Sequence, residues 1–87
     1  MTIEKWTDKG KGRYQTTARV PKKRGIYVLR ARHERGMWYP DVTFALGPTL
    51  GPGYCPPGFP DRRQAQERAE KAARHHAATG QWHSGEK

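Results

Sequence analysis

The 87-residue chain carries 17 Lys and Arg against 8 Asp and Glu, a formal net charge of +9, and only 33 % of it is apolar. That length holds one domain and not two, the apolar share allows only a thin core, and the charge points to an anionic partner, a nucleic acid ahead of an acidic protein. No apolar run approaches the roughly 20 residues that span a bilayer, Cys55 alone forms no internal disulfide, and Met1–Gly12 is too polar for a signal peptide, so a cytoplasmic protein with no membrane role is expected.

Residues 1–12, with Lys5, Lys9, Lys11 and two glycines around a single large apolar group, Trp6, read as a flexible basic arm, either a solvated tail or a DNA-contacting arm that Trp6 pins to the body. A single domain is expected over 13–82. Its first strand runs from Arg13 to Val20, where Tyr14, Thr16, Ala18 and Val20 alternate with Gln15, Thr17 and Arg19. Pro21 to Gly25 close a turn that crowds Lys22, Lys23 and Arg24 together. The second strand, Ile26 to His33, places Tyr27, Leu29 and Ala31 inward and Val28, Arg30 and Arg32 outward. After a turn at Glu34, Arg35 and Gly36 the third strand runs from Met37 to Leu46, with Trp38, Val42 and Phe44 on one parity and Tyr39, Asp41 and Thr43 on the other. Pro40 lacks a ladder donor and predicts an edge strand or a bulge, leaving the second strand central.

Residues 47–60 hold four glycines and five prolines and read as a long irregular loop, with Leu50, Tyr54 and Phe59 tucked under the sheet. Asp61 then opens a helix with an Asp-x-x-Gln capping box to Gln64. Ala65, Ala69, Ala72, Ala73, His76 and Ala77 share one helical face, Glu70 and Arg74 form an i,i+4 pair, and Gly80 caps the end ahead of Trp82, which folds back to seal it. Residues 83–87 are expected to be a disordered tail. The predicted fold is therefore α+β, a three-stranded antiparallel sheet packed on one C-terminal helix. Its core rests on Tyr14, Tyr27, Leu29, Trp38, Val42 and Phe44, each contributing about 1.5–3 kcal/mol when fully buried.

Chemistry finds little support. His33, His75, His76, His83 and Cys55 lack the spacing of a zinc module, and adjacent His75 and His76 point to different helix faces, so neither a metal nor a cofactor is expected. Cys55 has no neighbouring cation to activate it, and Asp41 and Asp61 read as a strand-surface residue and a helix cap, so no enzymatic activity is expected.

Binding has more behind it. Between Lys5 and Arg35 stand eleven Lys or Arg and two acids, Asp8 and Glu34, so this segment carries the whole net charge of +9. The outward set Gln15, Thr17, Arg19, Arg30, Arg32, Tyr39 and Thr43 can hydrogen-bond to base edges, Arg13 at the start of the first strand is a further contact candidate, and Lys22, Lys23, Arg24 and Arg35 lie in the turns, where they reach flanking phosphates. The rival is a solvated polar face, which any one-sided antiparallel sheet needs, but an ordinary surface intersperses both signs.

The order of three strands and a helix, with Arg13-Tyr14, Ala18-Arg19-Val20 and the helix from Gln64-Ala65 to Ala73, resembles the arm-type DNA-binding domains at the N-terminus of tyrosine recombinases and, more distantly, plant AP2 domains. The resemblance implies a sheet that enters the major groove with the helix behind it, Arg19, Arg30 and Arg32 as contacts, and a free-standing module of phage or plasmid type. The Gly/Pro-rich stretch before the helix departs from that pattern, and no recombinase catalytic domain follows. Double-stranded DNA is the expected partner, with RNA not excluded. The alternative is a phage- or plasmid-type inhibitor that binds an acidic host protein through the basic face or through Tyr54 and Phe59.

Overall fold

The computed structural model describes residues 1–21, 24–46, 49–54 and 57–82, with backbone alone for 46 and 49–54. Its elements are β1 (Thr2–Ile3), β2 (Thr7–Gly10), β3 (Arg13–Arg19), β4 (Ile26–Glu34), β5 (Met37–Leu46), β6 (Thr49–Tyr54) and α1 (Arg62–Thr79). The sheet is antiparallel in the order β1-β3-β4-β5-β6, and β2 joins β3 on the same edge as β1. The fold is thus α+β as expected, but the sheet is five strands wide instead of three.

Both extra positions come from segments expected to be irregular. The arm at 1–12 pairs along β3, Thr2 to Ile3 opposite Arg19 to Ala18 and Thr7 to Gly10 opposite Gln15 to Arg13. Its polar sequence hid this, because β2, exposed along its length, needs no hydrophobic alternation and β1 is only two residues long. Gly10, Lys11 and Gly12, all at positive φ, turn the chain between β2 and β3, and Asp8 Oδ1 accepts from the Gly10 N–H at 2.8 Å. The segment is also held from inside. Thr16, buried on β3, donates to the Glu4 carbonyl at 2.7 Å, and Trp6 Nε1 donates to Glu70 Oε2 on α1 at 2.8 Å. Trp6→Phe keeps an aromatic ring at this position and removes that donor; thermal unfolding should show a loss of at least about 1 kcal/mol, equivalent to roughly 4–8 °C.

The loop expected over 47–60 contains β6, which pairs with β5 from Leu46↔Thr49 to Val42↔Tyr54 despite its glycines and Pro52. The edge assignment from Pro40 is corrected with it. Trp38 exchanges two backbone hydrogen bonds with Phe59, both 2.7 Å, so the even-numbered residues of β5 turn their backbone away from β4. The missing N–H of Pro40 therefore falls in the gap between the Phe59 bridge and the Val42↔Tyr54 pair, and it costs the sheet no ladder bond. The side chains of Leu50 and Tyr54 and the tail 83–87 lie outside the described residues.

Side-chain parity follows the expected alternation. Tyr14, Thr16 and Ala18 stand opposite Ala31, Leu29 and Tyr27, which stand opposite Pro40, Val42 and Phe44, all on the inner face. Against them α1 lays its buried residues Ala65, Ala69, Ala72 and Ala73. Short alanines let the helix approach a sheet face whose bulk is Tyr27, Leu29 and Val42. Of the six core candidates those three are buried, whereas Tyr14, Trp38 and Phe44 are half-buried. Burial raises the Tyr27 phenol above its ordinary range, and its hydroxyl lies 2.7 Å from His76 Nδ1. Trp82 folds back and stacks on His76 with ring centroids 4.2 Å apart, sealing the helix end beyond Gly80, whose φ is 78°.

The capping box is not made. Asp61 takes the extended N-cap conformation and its carbonyl accepts from the Ala65 N–H, but its carboxylate bonds to no helix N–H. Tertiary contacts fix the start of α1 instead. Phe59 is bridged to Trp38, and the Arg62 guanidinium sits 4.3 Å over the Tyr14 ring, which itself packs edge-on against Trp38.

Candidate nucleic-acid interface

The period of two that buries Leu29 and Val42 turns the intervening residues out, and β3, β4 and β5 hold those residues in register. Three transverse rows result on the outer face: Arg13, Arg32, Tyr39; then Gln15, Arg30, Asp41; then Thr17, Val28, Thr43. Arg19 continues this parity at the far end of β3, opposite Thr2. Arg13, Gln15, Thr17, Arg19, Arg30, Arg32 and Tyr39, expected on one side from alternation alone, all share that side.

Around the first two rows is a depression of about 320 Å³ lined by Lys9, Arg13, Gln15, Arg30, Arg32 and Asp41 together with the backbone edge at Tyr14 and Ala31. Lys9 was not among the expected contacts. It reaches the depression because β2 pairs with β3, and its sequence signal is the Gly-Lys-Gly turn that follows it. Arg19 and Arg24 border a second depression with Thr2 and Glu4 at the other end of β3, six residues or about 20 Å from Arg13. Arg35 forms the β4–β5 turn with Gly36, both at positive φ, which is the backbone of a type I′ hairpin. Lys22 and Lys23 lie outside the described residues.

The cations are not equally engaged. Arg32 donates from Nε to Glu34 Oε2 at 2.8 Å, and its guanidinium lies 5.6 Å from the Tyr39 ring centroid. That hydrogen bond, and then the charge of Arg32, hold the Glu34 carboxyl below its usual range. The pair is exposed on both sides, so it adds little stability and yields readily to a competing anion. Arg30 donates from Nε to Gln15 Oε1 at 3.3 Å, and its Nη1 is 3.9 Å from Asp41 Oδ2. Tyr39 spends its ring on the fold, since a Cβ on Gly58 would come within 2.8 Å of it.

Arg13 and Arg32 are direct cross-strand neighbours. The bonds from His33 N–H to Gly12 O and from Glu4 N–H to Thr17 O fix the phase of the ladder and make this a non-hydrogen-bonded pair, in which facing side chains stand closest. Two like charges so placed destabilise a sheet. Arg13 has no ion pair among the described residues, so nothing on its own side offsets the repulsion. Arg13→Gln is therefore expected to raise stability by a few tenths of a kcal/mol in urea unfolding, while making the salt dependence of DNA binding shallower by about one.

Among the described residues no three His, Cys, Asp or Glu side chains gather as a metal site, and no helix is long and apolar enough to cross a membrane. Phe59, offered as an anchor for a protein partner, is half-buried with its backbone bridged to Trp38. No protein-family model matches the chain, and no curated protein or solved structure is significantly similar to it.

Proposed function

We propose that this protein is a non-enzymatic binder of double-stranded DNA that lays the outer face of its sheet into the major groove, as the likeness to arm-type domains implies. The observation that carries this reading is the alignment of Arg13 with Arg32, beside Lys9 and Arg30, on one face of the sheet. Such an arrangement costs the free fold and is repaid by a polyanion. Dimensions agree with it: β3 to β5 span about 10 Å, against a major groove about 12 Å wide. β2 lies beyond β3, so Lys9 flanks the inserted strip, where phosphates run. Duplex is favoured over single strands because the three outer rows hold one aromatic, Tyr39, whereas a single-strand binder stacks successive bases on several. DNA is favoured over RNA because the A-form major groove is too deep and narrow for side chains to read.

If Lys9, Arg13, Arg19, Arg24 and Arg32 each neutralise one phosphate, log K should fall with log salt at a slope of about −4.5, roughly a 500-fold loss between 50 and 200 mM. Titration of the protein into random-sequence duplex across that range tests this. Weak, salt-insensitive binding would turn the basic face toward an acidic protein instead.

A further inference from the structure

Resting on that reading, we infer that the row Gln15–Arg30–Asp41 is a sequence-reading row and that Arg30 is its guanine-recognising residue. The observation that calls for it is Asp41. A face that only gathers phosphates gains nothing from a carboxylate, which repels every phosphate it meets, yet Asp41 lies in the midst of the cationic depression, its side chain only 20 % exposed. Glu34 differs, being 54 % exposed at the end of β4 beside the turn.

The position of Asp41 gives it a use. It stands opposite Arg30 on β5, as Gln15 does on β3, so the arginine of the central strand is braced from both flanks. Gln15 Oε1 takes the Nε–H, and Asp41 Oδ2 lies on the Nη1 side. A guanidinium has five N–H donors, and those of Arg30 not turned to Gln15 or Asp41 have no partner among the described residues. A planar fork steered by these two neighbours, in the middle strand of a groove-sized strip, matches the two acceptors, O6 and N7, that guanine alone presents side by side in the major groove. The same carboxylate discourages phosphate from occupying the fork. Arg13, Lys9 and Arg32 at the border then supply affinity, and Arg30 supplies the choice of base.

The test begins with the wild-type chain and a pool of short duplexes with a randomised centre. Selection should enrich a site with guanine at a fixed position, and replacing that guanine with 7-deazaguanine, which lacks the N7 acceptor, should weaken binding on the order of five- to a hundredfold. Arg30→Lys should bind the selected site no more tightly than the unselected pool, the guanine preference being lost. Asp41→Asn should bind the unselected pool more tightly and also lose the preference, with thermal unfolding confirming that both variants fold. Salt-dependent binding to the pool without enrichment of guanine, or a preference that survives Arg30→Lys, overturns this inference and leaves the DNA-binding reading intact. Failure to bind any duplex at low salt overturns both.

Discussion

Leu29→Ala is expected to cost about 3 kcal/mol of stability, within the range of 2–5 for such truncations, and to lower the melting temperature by roughly 12–24 °C. Leu29 is fully buried on the central strand, between Thr16 on β3 and Val42 on β5 and beneath Ala69, Ala72 and Ala73 of α1. Its neighbours explain why the cost should not relax away. Leu29, Val42 and Pro40 are the largest fully buried side chains, and the helix meets them with alanines, which have no flexible atoms to swing into a void. For a chain of this length total stability is about 4–13 kcal/mol, and so thin a core belongs near the bottom of that range. The variant should therefore be partly unfolded at room temperature. Urea unfolding followed by the fluorescence of Trp6, Trp38 and Trp82, all half-buried, measures it. A loss below about 1 kcal/mol would mean that the helix and sheet are held together by something other than this contact.

What could be read from the sequence follows from where its periodicity is strong. From Arg13 to Phe44 each strand buries one face, so alternation alone fixes which side chains turn inward, and Arg19, Arg30 and Arg32 fall on the same side as expected. The helix is equally plain from its alanines and Gly80. β1 and β2 are different, because a two-residue strand and one exposed along its whole length carry no alternation, and in β6 the glycines and Pro52 speak against a strand that only pairing with β5 makes. Pro40 misleads for a related reason, since whether its missing N–H matters depends on what lies beyond β5. The Asp61 box fails because the packing of Arg62 on Tyr14 and of Phe59 on Trp38 sets the helix start instead. Register is the part of the site that no local pattern contains. That Arg13 faces Arg32, and that Gln15 and Asp41 bracket Arg30, depends on residues 11 to 19 positions apart meeting across turns whose exact length sequence does not give. Lys9 joined the site for the same reason, through a strand pairing that its own segment does not announce.

Net charge by itself draws any basic protein to DNA, so the decisive comparison holds charge constant and changes only its place. One triple variant replaces Arg13, Arg30 and Arg32 on the outer face by Gln, and another replaces Arg63, Lys71 and Arg74 on the solvent side of α1, all exposed, so that each loses three charges. Measured against one duplex at 50 mM salt, the outer-face variant is expected to bind on the order of a hundredfold more weakly, with a slope against salt shallower by about two as the phosphate contacts of Arg13 and Arg32 are lost, and the helix variant within about threefold of wild type. Equal losses in the two variants would mean that the charge acts without regard to the sheet, and would contradict binding through its outer face.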